Sequence, residues 1–282
     1  MITADTFMLG GDLKVRRLGF GALRILGKGC SGPPENRDAA KQLLRRVLQL
    51  GVNLIDTSDS YGPEVSEELI AEALYPYPED LVIATKGGLR PRNGRLQDAR
   101  PERLRECCEA SLRRLRVDRI DLYQLHAPDP VVPLEESVGA LSNLRDEGKV
   151  RHLGVSNVSR SELERARTVA KVVSVQNPFS LLDRRWQDVL DACERGGLGF
   201  MPWFPLAEGS LTRGAGLLGE IARARRATPA QVALAWLLQR SPVVLPIPGT
   251  SSTEHLEENV AATELELSEA EMGRLGGSGL SS

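Results

Sequence analysis

Four residues whose side chains can exchange protons or carry charge are prominent in the first half of the chain: Asp56, Tyr61, Lys86 and His126. A phenol has a reference pKa of about 10, which is too high for easy proton donation and return near neutral pH. A nearby lysine ammonium lowers such a pKa, and a buried aspartate keeps that lysine charged and in place. A histidine beside the phenol can hydrogen-bond a carbonyl oxygen, so the set would supply a general acid and a site for a developing alkoxide. None of the four is a hydride donor, so a reduction would also need a cofactor.

Each of these residues also fits a structural role when it is considered alone. Asp56 could cap the turn that follows it, and Tyr61 comes directly before a Gly-Pro pair that is typical of a turn. Lys86 could be a solvated loop cation, and His126 could be a hydrogen-bonded core residue. Their joint placement near the ends of predicted strands is what favours the catalytic interpretation.

Short apolar stretches alternate with segments of helical spacing along the whole chain. Strands are predicted at 17–22, 52–56, 81–85, 120–125, 150–155, 172–175, 199–201 and 243–247, with a predicted helix after each. Strands this short and apolar suit a parallel sheet that is buried on both faces. Eight such units predict an α/β fold, a (β/α)8 TIM barrel formed by residues 1–282 as a single domain. We also expect an N-terminal β-hairpin at 6–15 and a C-terminal helix at 268–275.

An open, doubly wound sheet is the alternative architecture. No Gly-x-Gly-x-x-Gly motif follows any predicted strand, which argues against a Rossmann nucleotide site. In a barrel the active site lies at the carboxyl ends of the strands. Chemically capable side chains fall at six of those ends: Asp56, Lys86, His126, Asn157, Gln176 and Trp203. The barrel mouth is therefore the predicted site.

The composition excludes several other classes of protein. The 36 basic and 38 acidic residues give a net charge of −2, which offers no electrostatic basis for binding nucleic acid or a membrane surface. No apolar run approaches the roughly 20 residues needed to span a bilayer, and residues 1–10 lack the pattern of a signal peptide. The four cysteines have no metal-ligand spacing, and no metal site is predicted. We expect a cytoplasmic protein with reduced thiols, a monomer or weak oligomer that acts on a small molecule.

Several motifs, in their order and spacing, resemble the aldo-keto reductase family over essentially the whole chain. Asp56, Tyr61, Lys86 and His126 match the catalytic tetrad of that family. The other matching stretches are 18–22, 154–157, 176–177, 247–251 and 257–259. The resemblance implies a carbonyl reductase that converts an aldehyde or a ketone to an alcohol by hydride transfer, with Tyr61 as general acid and a small-molecule carbonyl substrate.

The resemblance also implies a nicotinamide dinucleotide extended across the barrel mouth. Ser156, Asn157 and Gln176 would hydrogen-bond its carboxamide, while Trp203 would stack on the ring where a tyrosine is more usual. The other residues that the resemblance assigns to the cofactor are Gly21, Ala22, Phe204, Pro205, Leu206, Gly249, Thr250, Ser251, Ser252, His255, Glu258 and Asn259. Of these, 249–252 would wrap the adenosine phosphate at the amino end of a helix, where free amides attract anions, and 258–259 would hold the adenine. Leu23 and Trp203 would line the substrate pocket.

Two positions depart from the family pattern for NADPH. Members that bind NADPH strongly often have a lysine where Gly249 stands and an arginine where His255 stands. Without them, the 2′-phosphate would rest on the hydroxyl groups and backbone amides of 250–252 and on His255. NADPH remains the expected cofactor, with NADH not excluded.

A narrower resemblance concerns the substrate. Residues 32–34, 56–59, 72–77, 204–206 and 233–240 together resemble the bacterial pyridoxal reductase branch of the family, which implies reduction of pyridoxal to pyridoxine. Two alternatives come from other functional classes. One is a cofactor-sensing regulatory subunit with little turnover. The other is a barrel aldolase or lyase in which Lys86 forms a Schiff base, although Asp56 and the phosphate motif at 247–251 argue against it.

Overall fold

The computed structural model describes residues 5–89, 97–213 and 216–277. The strands in these residues are β1 (Thr6–Leu9), β2 (Leu13–Arg16), β3 (Phe20–Gly21), β4 (Leu54–Asp56), β5 (Val82–Gly87), β6 (Ile120–Leu125), β7 (Val150–Ser156), β8 (Val172–Gln176) and β9 (Gly199–Phe200). From β3 to β9 they form one sheet of seven parallel strands within these ranges, paired in the order in which they occur in the chain. Because every pair is parallel, the carboxyl ends of these strands lie together at one end of the sheet.

Helices follow the strands of the sheet. Those in the described residues are α1 (Arg37–Gln49), α2 (Val65–Leu74), α3 (Pro101–Leu115), α4 (Leu134–Asp146), α5 (Arg160–Val169), α6 (Gln187–Gly196), α7 (Gly216–Arg225), α8 (Pro229–Arg240), α9 (Thr253–Ala261) and α10 (Glu269–Gly277). Several begin where side chains satisfy the free amides of the first turn. Ser159 and Glu162 form a capping box on α5, and Thr228 with Gln231 does the same on α8, where Pro229 takes the first helical position.

The antiparallel pair β1 and β2 covers the amino end of the parallel sheet. Gly10 turns the chain between them with a φ of 68°, which glycine adopts without steric cost. Leu9 and Val15 are buried in the same apolar cluster as Leu54 and Val82, the first residues of β4 and β5. Since this end of the sheet is packed with apolar side chains, the polar strand-end residues gather at the opposite end.

Residues 243–247, where the sequence predicts an eighth strand, do not form a regular strand, and neither does the Pro248 that follows them. Pro246 and Pro248 have no N–H and cannot donate to a strand ladder. The segment nevertheless contacts both edges of the sheet. The Leu245 N–H donates to Phe200 O at 2.8 Å on the β9 side, and the Gly21 N–H of β3 donates to Pro248 O at 3.3 Å. An irregular, proline-interrupted segment therefore stands in the place of the expected strand.

The described residues contain no helix that is both long and apolar enough to cross a membrane. Within the same ranges, no group of three or more histidine, cysteine or acidic side chains is placed to hold a metal ion. The four cysteines are free thiols. Burial raises the pKa of both Cys108 and Cys193 to about 12, so these two thiols stay protonated in the core.

Candidate active site

A buried ion pair lies where β4 and β5 end. The Lys86 Nζ contacts both carboxylate oxygens of Asp56 at 2.8 Å, and their side chains are 0% and 3% exposed. It also donates to Thr57 O at 2.7 Å. Burial alone would lower the pKa of Lys86, but the charge and hydrogen bonds of Asp56 raise it above its ordinary value. The ammonium is therefore held charged although its side chain is fully buried.

Tyr61 lies on the loop between β4 and α2, and its hydroxyl is 3.4 Å from Lys86 Nζ. The ammonium also lies 5.0 Å from the centroid of the phenol ring. Burial is the largest influence on this group and raises the pKa of Tyr61, while the charge of Lys86 opposes the rise without overcoming it. Lys86 therefore lowers the pKa of Tyr61, as the sequence predicted, but the net shift is upward because burial outweighs this contribution. The lysine is largely neutralised by Asp56, and it cannot offset the loss of water around the phenol.

His126 follows β6 and packs edge-on against Tyr61, with ring centroids 6.0 Å apart. Its backbone N–H donates to Gly87 O at 3.0 Å, and its ring Nδ1 lies 3.0 Å from Ser58 Oγ. Burial, followed by the charge of Lys86, holds the pKa of His126 well below 6.5. The ring is therefore neutral near pH 7. Its Nε2 makes no hydrogen bond to another residue within the described ranges, so it is available to a ligand.

These groups meet at a cavity of about 850 Å³. The predicted site residues that line it are Gly21, Leu23, Asp56, Tyr61, His126, Ser156, Asn157, Gln176, Trp203, Phe204, Pro205, Leu206, Gly249, Thr250, His255, Glu258 and Asn259. Four predicted residues do not line it: Ala22, Lys86, Ser251 and Ser252. Lys86 lies directly behind Asp56 and Tyr61, whereas the Ser252 side chain caps α9 by accepting from the His255 N–H at 3.3 Å.

Asn157 and Trp203 also line the cavity. Asn157 adopts φ +57°, a left-handed conformation that asparagine tolerates better than most residues. Its Nδ2 donates to His126 O at 3.0 Å, and its Oδ1 accepts from Trp203 Nε1 at 3.2 Å. The Asn157 amide therefore links the segments that follow β6, β7 and β9 by hydrogen bonds beside His126.

Gln176, the last residue of β8, points one end of its amide at the ion pair. Its Nε2 donates to Asp56 Oδ1 at 2.8 Å. Its Oε1 accepts no hydrogen bond from another described residue and belongs to a side chain that lines the cavity. An unpaired amide oxygen of this kind fits the carboxamide NH2 of a nicotinamide.

The far end of the cavity lies at the amino end of α9. The backbones of Gly21 and Gly249 approach closely here, since a Cβ added to Gly249 would lie 2.6 Å from Gly21 O. Thr250 Oγ1 accepts from the Ser252 N–H at 3.0 Å and shapes the turn into the helix. The free amides and dipole of a helix start favour a phosphate, so the residues present fit the dinucleotide that the sequence predicts.

Sequence reasoning missed part of the cavity wall. The additional lining residues are Arg24, Glu208, Gly209, Thr212, Thr228, Pro229, Ala230, Ile247 and Pro248. Arg24 could have been suspected as the basic residue just after the glycine motif at 18–22. The contact of α8 with the site had no signal in the sequence, because Thr228 and Pro229 also fit an ordinary helix start.

Comparison with known proteins decides the family. Residues 17–278 match the model of the Aldo/keto reductase family. The chain belongs to this family. It is 42% identical over 289 residues to pyridoxine 4-dehydrogenase of Escherichia coli (strain K12), which covers 98% of this chain and 99% of that protein. It is 46% identical over 261 residues to an uncharacterised oxidoreductase of Schizosaccharomyces pombe, and the aligned region covers 92% of this chain and 85% of that protein.

A solved structure agrees with these relatives. An aldo-keto reductase from Klebsiella pneumoniae in complex with NADPH matches with a TM-score of 0.85 at 31% identity, over 98% of this chain and 94% of that chain. The family resemblance inferred from the sequence is therefore confirmed. The protein is an NAD(P)H-dependent oxidoreductase of α/β fold that acts on a small molecule.

Proposed function

We propose that the protein reduces an aldehyde or a ketone to an alcohol with NADPH, and that Tyr61 is the general acid. The observation that carries this proposal is the contact of one ammonium, Lys86 Nζ, with both Asp56 and the Tyr61 hydroxyl beside the cavity. His126 lies next to the phenol with a free ring nitrogen. A carbonyl oxygen placed between phenol and imidazole would meet two hydrogen-bond donors at once.

In this proposal each side chain has one role. When bound, the reduced nicotinamide supplies a hydride to the carbonyl carbon. The Tyr61 hydroxyl gives its proton to the carbonyl oxygen, and its raised pKa keeps that proton on the phenol until the oxygen becomes basic. Lys86, held by Asp56, stabilises the tyrosinate that remains. The neutral ring of His126 orients the carbonyl through Nε2.

NADPH is proposed over NADH because of Arg24. A Cβ added to Gly249 would lie 3.3 Å from Arg24 Cγ, so this side chain packs over the position where the family lysine would stand. Arg24 makes no ion pair or side-chain hydrogen bond with any other described residue, and it lines the same cavity as Thr250 and His255. A free guanidinium there would pair with a 2′-phosphate.

Pyridoxal is the proposed substrate. The likeness to pyridoxine 4-dehydrogenase, at 42% identity over nearly both chains, supports this choice. Leu23 and Trp203 both line the cavity and would contact the substrate. We further propose that the whole chain forms one closed (β/α)8 domain that acts in the cytoplasm as a monomer or weak oligomer. Its closure is supported by the contacts of residues 243–248 with both edges of the sheet.

The proposal is tested by the initial rate of NADPH oxidation with pyridoxal and with a simple aromatic aldehyde. Tyr61→Phe should lower kcat by about 10²–10⁴-fold, the usual contribution of a general acid. Tyr77→Phe is a matched control, since Tyr77 donates to Leu115 O at 2.8 Å away from the cavity and should leave kcat unchanged. Near-full turnover by Tyr61→Phe would refute the assignment. Turnover of the simple aldehyde alone would support the reductase function but exclude pyridoxal as the substrate. If neither aldehyde is reduced although NADPH binds, the alternative of a cofactor-sensing regulatory subunit would be favoured.

A further inference from the structure

Ser58 lies behind the ring of His126, on the side away from the cavity. Its Oγ is 3.0 Å from Nδ1, and its side chain is fully buried. Ser58 does not line the cavity, so it acts on any ligand only through the histidine. The ring itself is neutral, which means that it carries one proton on either Nδ1 or Nε2. The hydrogen bond made at Nδ1 decides which nitrogen holds it.

The same serine hydroxyl contacts a buried carboxyl. Ser58 Oγ lies 3.2 Å from Asp59 Oδ1, and Asp59 is 7% exposed. The backbone N–H of Ser60 donates to Ser58 Oγ at 3.2 Å and occupies one lone pair, and the Ser60 hydroxyl lies 2.9 Å from the same oxygen. The proton and the second lone pair of Ser58 are therefore shared among Asp59, His126 and the Ser60 hydroxyl, whose own proton can turn away from Ser58.

Two arrangements of protons satisfy the hydrogen bonds among Asp59, Ser58 and His126, and they differ by one proton in total. With Asp59 neutral, its O–H donates to Ser58, Ser58 donates to Nδ1, and the ring proton lies on Nε2, where it can be donated to a carbonyl oxygen. With Asp59 ionised, Ser58 donates to the carboxylate, because a charged acceptor is preferred. The ring must then carry its proton on Nδ1 to donate to Ser58, and Nε2 becomes an acceptor.

We propose that Ser58 is a positioning residue that sets the tautomer of His126, and that the proton on Asp59 selects between the donor and acceptor forms of Nε2. This inference rests on the proposed reductase function, in which Nε2 must donate. It makes carbonyl reduction depend on a carboxyl that touches neither substrate nor cofactor.

The surroundings of Asp59 place its titration in an accessible pH range. Burial is the main cause that raises the pKa of Asp59 to about 6. The titratable and charged groups that face it are Glu67 from α2, Arg103, Cys107 and Arg114 from α3, and Tyr123 from β6. Glu67 raises the pKa further, whereas Cys107 and Arg114 lower it. Between pH 5 and 8 the carboxyl therefore passes from mostly neutral to mostly ionised.

The first test reads the tautomer directly. Because the chain has three histidines, ¹⁵N-histidine labelling gives three ring spin systems, which substitution of His152 and His255 assigns. We expect His126 to carry its proton on Nε2 at pH 5 and on Nδ1 at pH 8. Asp59→Asn should hold one tautomer at both pH values, and Ser58→Ala should abolish the change. A wild-type ring that keeps one tautomer throughout, or a Ser58→Ala ring that still switches, would overturn the proposal.

The second test is kinetic, at saturating NADPH and aldehyde. Wild-type kcat for reduction should fall about tenfold from pH 5 to pH 8, in step with the tautomer, and Asp59→Asn should remove that fall. Ser58→Ala should lower kcat at pH 5 about tenfold without changing KM for NADPH, and Ser58→Thr, which restores a hydroxyl, should recover it. Ser60→Ala is the control, because Ser60 Oγ lies 2.9 Å from Ser58 Oγ but 3.5 Å from Nδ1.

An effect of Ser60→Ala as large as that of Ser58→Ala would contradict the assignment to Ser58. A wild-type protein without any NADPH turnover would refute the proposed function, but the NMR result would still decide the tautomer relay. The two failures can therefore be told apart.

Discussion

The ion pair between Lys86 and Asp56 predicts a large, measurable coupling in stability. Both side chains are almost fully buried, and their atoms are 2.8 Å apart. Lys86→Met would leave the buried Asp56 carboxylate with the Gln176 amide as its remaining side-chain donor in the described chain. Removing one partner of such a pair lowers the free energy of unfolding by about 3–5 kcal/mol, because the other charge stays buried without compensation.

Asp56→Asn should have a similar effect for the opposite reason. It would leave the ammonium with Thr57 O at 2.7 Å and the Tyr61 hydroxyl at 3.4 Å, and neither acceptor is charged. The double variant Asp56→Asn/Lys86→Met removes both charges and replaces the lysine stem with an apolar chain of similar length. Its loss should be at most about 2 kcal/mol, since replacing a whole buried pair is often close to neutral. The coupling energy should therefore reach about 3 kcal/mol or more.

The assay is urea unfolding followed by tryptophan fluorescence at pH 7.5, with the wild type, both single variants and the double variant compared. Arg165→Met serves as the control. Arg165 pairs with Glu135 on the surface, where the side chains are 53% and 42% exposed, so its loss should cost less than about 1 kcal/mol. The reasoning from the burial of the pair would be refuted if the single variants lost no more stability than this control. It would also be refuted if the loss of the double variant equalled the sum of the two single losses.

Three further predictions follow from contacts around the cavity. Arg24→Ala should raise Kd for NADPH roughly tenfold and leave Kd for NADH unchanged, as measured by quenching of tryptophan fluorescence, because only the 2′-phosphate would lose a partner. Gly21→Ala should lower the free energy of unfolding by about 1–3 kcal/mol in urea, since its Cβ would lie 2.6 Å from Ile247 O. Burial raises the pKa of Asp59 from 3.8 to about 6, so its charged form destabilises the fold by up to about 3 kcal/mol above pH 6 and not below pH 4. Asp59→Asn should therefore gain stability relative to wild type as the pH rises from 4 to 8, and a constant difference would contradict the burial.

The sequence was sufficient to predict which side chains meet. Asp56, Lys86, His126 and Gln176 each lie within one residue of the end of a short strand, and parallel strands bring such positions to one end of the sheet. This inference needs the order of the elements and not their packing details. The expected strand at 243–247 is not regular, because Pro246 and Pro248 lack the N–H groups that a strand ladder requires.

Properties that depend on burial or on distant side chains could not be read from the sequence. The direction of the pKa shift at Tyr61 depends on how much water the phenol loses, and nothing in the spacing of Tyr61 and Lys86 gives that amount. The contact between Ser58 and His126 joins positions 68 residues apart through a hydroxyl that also fits an ordinary turn. The role proposed for Arg24 depends on the packing of its side chain over Gly249, a contact that the sequence does not give.

The amide of Gln176 shows how the ion pair also shapes the cofactor pocket. An ionised carboxylate only accepts hydrogen bonds, so Asp56, kept charged by Lys86, requires the NH2 end of this amide to face it at 2.8 Å. The oxygen end must then face the cavity, where it can accept from a carboxamide NH2. A neutral group at position 56 would no longer require the NH2 end of the amide to face it. In the proposed reaction, the charge of Asp56 would therefore both hold Lys86 beside the phenol and set which end of the Gln176 amide faces the nicotinamide.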